Sequence, residues 1–223
     1  MKLLFASSNA HKLREIEVLL PAGFTLIGLQ DIQWTEDIPE PYPSLEENAA
    51  AKASYVFERT GIPCFAEDSG LFIDALDGRP GVLSARYAGE HGHSEANNEK
   101  VLAQLRQRES EIVRERDVES VRERESESVN DNSRAATFKA VIAYQRDFDH
   151  RFFFKGQVSG SISDVPRGHH GFGYDPIFIP SGFNQTFGEL STSLKSRISH
   201  RAKATQAFVK FLFDHPITPS PNH

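Results

Sequence analysis

Between the apolar runs Cys64-Phe65-Ala66 and Leu71-Phe72-Ile73 stand Glu67-Asp68-Ser69-Gly70, two adjacent carboxylates followed by a hydroxyl and a glycine. A carboxylate taken out of water is costly unless it is paired, hydrogen-bonded or metal-bound, so this stretch asks for a compensating cation. A tight turn is the alternative, with Asp68 and Ser69 bonding to their own backbone before Gly70 turns the chain. Cations and donors of suitable type occur elsewhere: Ser7-Ser8-Asn9 ahead of Lys12, then Lys52, Lys195 and His200-Arg201. A second conspicuous stretch, Gly171-Phe172-Gly173-Tyr174-Asp175-Pro176, is glycine-rich and aromatic. Its glycines permit close backbone approach, and an exposed Phe or Tyr offers a stacking face for a base.

The elements that must position these residues are readable in outline. Leu3-Leu4-Phe5-Ala6 is a short buried strand, and after the polar turn Ser7-Ser8-Asn9-Ala10 a helical pattern runs through Leu13, Ile16, Leu19 and Leu20 until Pro21 and Gly23 stop it. Such a junction aims backbone N–H groups and the positive end of a helix dipole beyond the strand, where phosphate would be welcome. Plain N-capping by Ser8 or Asn9, with Lys12 in solvent, explains the same residues. Ser44-Leu45-Glu46-Glu47 matches a capping box and opens a helix to about Arg59, buried through Leu45, Ala49, Ala53 and Val56. Lys52 lies at the border of that face, so it either snorkels outward or is held inward by an anion. Glu47 points away from the face and serves the box. Ile62 to Ala66 is a strand leading into the acidic stretch, and Leu71 to Asp74 continues extended. Lys195 and Arg201 lie near the start of a last helix buried through Ile198, Ala202, Thr205, Phe208, Val209 and Leu212. A helix start favours acids, so these cations are incidental or serve an anionic ligand.

Other segments complete the chain. Phe24 to Leu29 reads as a strand, and the proline-rich loop from Gln30 to Pro43 carries Asp31, Glu36, Asp37 and Glu40, any of which can reach a metal from a loop end. His91 and His93 have no third ligand nearby and read as surface residues. Ser94 caps a helix through Val101, Leu102 and Leu105. From Arg106 to Val129 three tandem octads follow, with six arginines against eight acids. Eight residues advance a helix about 80° beyond two turns, so Val113, Val121 and Val129 form no seam. We read residues 106–133 as a charged surface insertion, a solvated helix extension or disordered, without a catalytic role. Ala136 to Tyr144 and Arg151 to Ile162 alternate as strands that pair antiparallel.

At 223 residues and 39% hydrophobic content, residues 1–223 form a single globular domain. A net charge of −6 argues against a general polyanion surface, so nucleic acid is not an expected partner. The single Cys64 sits in an apolar run, as a buried thiol in a reducing compartment would. The N-terminal apolar run is too short for a signal peptide and no long hydrophobic span follows, which reads as cytoplasmic and without a membrane partner.

Taken in order, Ser7-Ser8-Asn9-Ala10-His11-Lys12, Glu47-Asn48-Ala49 with Lys52-Ala53, Glu67-Asp68-Ser69-Gly70-Leu71, Pro80-Gly81 with Ser84-Ala85-Arg86-Tyr87, Gly171 to Pro176, and Ser199-His200-Arg201 resemble the inosine triphosphate pyrophosphatases, also known as dITP/XTP pyrophosphatases. The resemblance covers nearly the whole chain. It implies an α/β fold with an elongated mixed sheet flanked by helices, two lobes with a nucleotide-binding cleft between them, and a homodimer. It also implies Mg²⁺-dependent hydrolysis of ITP, dITP and XTP to the monophosphate and pyrophosphate. Carried onto this sequence, Ser7, Ser8, Asn9, Ala10, His11 and Lys12 cradle the phosphates of the nucleoside triphosphate, and Lys52 adds a cation. Asp68 is the catalytic carboxylate and a metal ligand, with Glu40 as the second ligand, Glu47 and Glu67 as further candidates for the metal, and Ser69 on the substrate. Phe172, Gly173, Tyr174 and Asp175 line the base and sugar pocket, while Lys195, His200 and Arg201 complete recognition. Physical chemistry agrees, since a triphosphate with its metal needs donors on phosphate, carboxylates on the metal and an activated water.

Three positions depart from the family pattern: Ser7-Ser8 stands where many members have Thr-Gly, and Glu67 replaces a frequent Asp. A Maf-like pyrophosphatase acting on dTTP or UTP also begins with strand, Ser-containing loop and helix, but its Ser-Pro-Arg pattern is absent here. A non-catalytic nucleotide-binding or scaffold protein acting through the octads is the other alternative, against which Lys12, Lys52 and Asp68 count.

Overall fold

A computed structural model of the chain describes residues 1–90, 92–119 and 133–215. Six strands, β1 (Lys2–Phe5), β2 (Thr25–Ile27), β3 (Cys64–Ile73), β4 (Ala135–Gln145), β5 (Arg151–Ile162) and β6 (Phe178–Pro180), lie in one sheet in the order β2-β1-β3-β4-β5-β6. β1 runs parallel to both β2 and β3, whereas β6 is antiparallel to β5, so the sheet is mixed. Among the described residues five α-helices flank it: α1 (Ala10–Glu17), α2 (Leu45–Thr60), α3 (Ser94–Glu119), α4 (Thr192–Ile198) and α5 (His200–Asp214). None of the described helices is long and apolar enough to cross a membrane. By its internal contacts the chain divides into two compact units, one of Met1–Ser69, Lys139–Gln157 and Ser193–His223, the other of Gly70–Phe138 and Val158–Thr192.

The first unit is built around the first six residues of β3. Successive side chains of a strand point to opposite faces, so Phe65, Glu67 and Ser69 share one side and Cys64, Ala66 and Asp68 the other. On the first side the Phe65 ring packs 4.8 Å from Phe5 and 4.9 Å from Phe208. These join Leu3, Ile16, Ile142, Tyr144, Ala204 and Leu212 in one apolar cluster under α1 and α5. On the second side lies α2, whose Ala53 carbonyl accepts from the Cys64 thiol at 3.2 Å. Burial raises that thiol to about 12, so it stays protonated and inert.

Local signals set the helix ends. Asn9 caps α1, its side chain accepting from His11 N and Lys12 N at 3.0 and 3.1 Å. Ser44 caps α2 by accepting from Glu47 N, and its hydroxyl donates to the Glu47 carboxylate at 2.7 Å. Glu47 is thereby occupied with the helix end, as the sequence indicates. Ser199 caps α5 by accepting from Ala202 N at 3.1 Å. The first turn of α5 rests on β5 at Gly156, where a Cβ would come within 2.1 Å of the His200 carbonyl oxygen. This contact fixes the backbone that carries His200 and Arg201.

In the second unit, Phe138 packs against Phe178 at 4.7 Å and Phe178 against Phe187 at 5.3 Å. Ser94 begins α3, and its hydroxyl accepts from Gly173 N at 3.2 Å. The helix does not end before the octads: it runs through the first and most of the second, with Val113 57% exposed and Gln107 and Arg108 both bonded to Glu111. Arg106 to Glu119 is therefore the helical extension, and Glu109 makes a two-pronged pair with Arg134. The remaining octad residues, with Val121 and Val129, lie outside the described residues, as does His91. His93 is exposed and contacts Glu90.

Candidate active site

The acidic stretch is not a turn. β3 passes through Glu67-Asp68-Ser69-Gly70 without a break, because each charge meets a partner on its own side of the strand. Glu67 is 1% exposed, yet its carboxyl is held well below the usual range. Burial pushes against ionisation, but Arg201 and Lys12 outweigh it. Lys12 Nζ lies 2.8 Å from one Glu67 oxygen, and Arg201 Nη2 donates to the other at 3.1 Å. The same Nη2 donates to Ser69 Oγ at 3.0 Å, so Arg201 reads two alternate residues of one strand face.

Glu15 completes this cluster. It accepts from Lys195 Nζ at 2.6 Å and from Arg201 Nη1. Burial opposes its charge, but Arg201 and Lys195 hold its pKa at about 2. Sequence reasoning passed over Glu15; it shares a helix face with Lys12 three positions earlier, and that spacing was the available signal. Lys195, His200 and Arg201, expected to act together, do converge here, all three buried. Burial first, then the nearby Arg201 charge, depresses His200 well below the usual imidazole value, leaving a neutral ring at neutral pH. The named ions number three cations (Lys12, Lys195, Arg201) against two carboxylates (Glu15, Glu67).

On the opposite side of β3 the balance reverses. Lys52, 5% exposed, donates to Asp68 Oδ1 at 3.0 Å and to Glu40 Oε1 at 2.5 Å. The anions that hold Lys52 inward are thus the protein's own. Burial opposes the ammonium charge, but Asp68 and then Glu40 raise its pKa above the ordinary value. Asp68 moves upward, because burial and the Glu40 charge outweigh Lys52 and Lys12. Two carboxylates share one ammonium.

Ser7, Ser8, Asn9, Ala10 and His11 form the β1–α1 junction beside Lys12. Ser7 Oγ accepts from Asn9 N at 3.2 Å, while Ser8, Ala10 and His11 are exposed. The capping reading holds at Asn9, but Lys12 is on Glu67, not in solvent. Phe172, Gly173, Tyr174 and Asp175 belong to the second unit. There Tyr174 is buried with its hydroxyl donating to the Ser84 carbonyl at 2.8 Å, and Asp175 accepts from Phe172 N at 2.7 Å. Tyr174 is consequently an anchor for the loop, and Phe172 is its half-buried ring.

A family model described as the Ham1 family matches residues 3–211. The chain belongs to the Ham1 family. Among similar members, a dITP/XTP pyrophosphatase of Porphyromonas gingivalis is 42% identical over 211 residues, covering 95% of this chain and 97% of the relative. One of Flavobacterium johnsoniae is 41% identical over 212 residues, covering 95% and 98%. The solved structure of a HAM1 protein from Coxiella burnetii superposes with a TM-score of 0.79 at 33% identity, covering 96% of this chain and 99% of that one. Every residue of both clusters falls within the span shared with the Ham1 family.

Among the described residues, no group of three or more His, Cys, Asp or Glu is placed to hold a metal unaided. Mg²⁺ usually takes only one or two carboxylates and fills its shell with phosphate oxygens and water. Glu40 and Asp68, two carboxylates that meet on Lys52 Nζ, fit that donor set in number and type.

Proposed function

We propose that this Ham1 family member hydrolyses the nonstandard purine nucleoside triphosphates ITP, dITP and XTP to the monophosphate and pyrophosphate. The reading is carried by one observation: β3 bears a cation-rich cluster on one side and a carboxylate-rich cluster on the other, as a metal–triphosphate complex requires. The names of the full-length relatives support the substrate class.

In this reading the β1–α1 junction, Ser7 to Lys12, receives the phosphates through its backbone N–H groups and Lys12, with Lys52 as a further cation. Glu40 and Asp68 hold Mg²⁺, which supplies charge neutralisation on phosphate oxygens. Asp68 orients the attacking water and takes its proton. Its upward-shifted pKa suits that task better than a strongly acidic carboxyl would. As the water oxygen bonds to the α-phosphorus, the bond from that phosphorus to the bridging oxygen breaks and pyrophosphate leaves. Ser69 contacts substrate. Phe172 stacks on the base, in a loop with Gly173, Tyr174 and Asp175, and Lys195, His200 and Arg201 complete recognition. A neutral His200 retains one N–H donor, which together with Arg201 suits a 6-oxo group and mismatches the 6-amino group of adenine. The homodimer is part of the same proposal, checked by sedimentation equilibrium.

Pyrophosphate release from ITP, XTP, dTTP, ATP and GTP with Mg²⁺ tests the function. ITP and XTP should be turned over well ahead of the other three, and Asp68→Asn should lose about 10³-fold on each. Equal rates across the panel would remove the specificity claim, and an undiminished Asp68→Asn enzyme would remove the role of Asp68.

A further inference from the structure

Residues 34–43 lie along α2 in the opposite direction, tied at both ends. At one end the Trp34 ring meets Tyr55 edge-on at 6.0 Å, and its Nε1 donates to the Glu36 carbonyl at 2.7 Å. Glu36 Oε2 accepts from Tyr55 OH at 2.9 Å and from Arg59 Nε at 3.1 Å, while the Arg59 guanidinium covers the Tyr55 ring at 3.5 Å. At the other end stands Asn48, 1% exposed on the first turn of α2. Its Oδ1 accepts from Tyr42 N and its Nδ2 donates to Tyr42 O, both at 3.0 Å. Between the ties, Glu40 meets Lys52.

The sequence stiffens what the ties hold. Pro39-Glu40-Pro41-Tyr42-Pro43 places proline at every second position. Each proline fixes its own φ and biases the residue before it toward extended backbone, so Ile38, Glu40 and Tyr42 are all restricted. Glu40 is thereby delivered on a short rigid bar rather than on a free loop. We propose that this strap sets the affinity of the Glu40–Asp68 pair for a divalent cation, with Asn48 as its positioning residue. The proposal rests on the reading that Glu40 and Asp68 hold the cation. A carboxylate whose backbone is already ordered loses little freedom when it takes a ligand, whereas a loosened one must be ordered at that moment.

Trp34 is the only tryptophan in the chain, so its emission reports on the strap. Mg²⁺ is titrated into the full chain saturated with α,β-imido-ITP, whose bridging nitrogen resists hydrolysis, and binding is followed by Trp34 emission and independently by calorimetry. Asn48→Ala should weaken Mg²⁺ about tenfold, the usual scale for removing a group that orients a metal ligand. Pro39→Ala/Pro41→Ala, which alters only exposed side chains, should also weaken Mg²⁺, by less than Asn48→Ala does. Glu40→Gln should weaken it at least as much as Asn48→Ala. If Glu40→Gln loses affinity but both strap variants bind Mg²⁺ as the native chain does, the strap proposal is overturned and the cation reading stands. If Glu40→Gln itself binds normally, the cation reading falls. Should Asn48→Ala fail to fold, the double proline variant decides.

Discussion

The two sides of β3 at residues 67–69 differ in sign, in redundancy and in acidity. On the side of Glu67 and Ser69, Arg201 and Lys12 close on one carboxylate and Glu15 ties Arg201 to Lys195, so a buried acid is held ionised far below its ordinary range. On the side of Asp68, two carboxylates compete for Lys52 and burial moves Asp68 upward. A two-residue strand period separates a cluster of Lys12, Lys195 and Arg201 with Glu15 and Glu67 from one of Asp68 and Glu40 with Lys52 over a single peptide unit. The first is a buried ion network that keeps its acids ionised; the second holds a carboxyl whose pKa is moved upward. Glu67 and Asp68, adjacent and chemically alike, are thereby given different work.

The largest test of this contrast is Asp68→Asn against Glu67→Gln. Asp68→Asn should lower turnover by about 10³-fold, roughly 4 kcal/mol of barrier, with little change in unfolding midpoint. Glu67→Gln should do the reverse in kind, lowering stability because Arg201 and Lys12 lose their buried counter-ion. Pyrophosphate release and urea unfolding on the same preparations separate the two; matching losses in both variants would erase the distinction. Next comes Arg201→Met, which leaves Glu15 and Glu67 buried against fewer cations and should cost about 3–5 kcal/mol in urea unfolding. Lys52→Met should cost less, because Glu40 keeps access to water with 29% of its side chain exposed.

Much of this framework is legible locally. The Ser44 capping box, the Asn9 cap and the alternation of β5 depend on neighbours a few positions away, and the structure has them where the residues indicate; β4 does not keep its expected alternation, since Ala140 to Gln145 are buried on both faces. The continuity of β3 does not follow from such rules. Asp-Ser-Gly is turn chemistry on its own, and the groups that make a strand affordable for Glu67 come from Lys12 and Arg201, 55 and 134 positions away. Glu15 was missed for the same reason: its partners Lys195 and Arg201 are 180 and 186 positions distant. Tyr174 misleads in the opposite way, since an aromatic in a glycine loop suggests exposure while its hydroxyl has found the Ser84 carbonyl. The charge spacing of the octads left a helix extension and disorder both open; Arg106 to Glu119 is helical.

Glu15 supplies a pH test of the framework side. Its folded-state pKa of about 2 lies below the ordinary 4.5, so its contribution is fully present above 4.5 and is lost as pH falls toward 2. The interval corresponds to about 3 kcal/mol. The stability gap between the native chain and Glu15→Gln should therefore be widest at neutral pH, narrow below pH 4.5 and close near pH 2, as read from urea midpoints across a pH series. A gap that does not change with pH would mean that Glu15 acts by shape alone and that the positive cluster is not balanced by it.

The smallest expected effect is the sharpest on whether the two sides are separate sites. Ser69 shares its strand face with Glu67, and its hydroxyl accepts from Arg201 at 3.0 Å. Ser69→Ala removes one hydrogen bond to a charged donor that keeps Glu15 and Glu67, so the loss should be about 1 kcal/mol. If the faces work independently, that loss appears as a rise of about fivefold in KM for ITP, with the Mg²⁺ concentration for half-maximal rate unchanged. Asp68 feels Lys12 as well as Lys52, so the faces are not electrically insulated, and a shift in Mg²⁺ dependence equal to the shift in KM would show that coupling through Lys12 dominates. The contrast between the sides would then describe where the charges sit, and metal and phosphate would be bound as one unit.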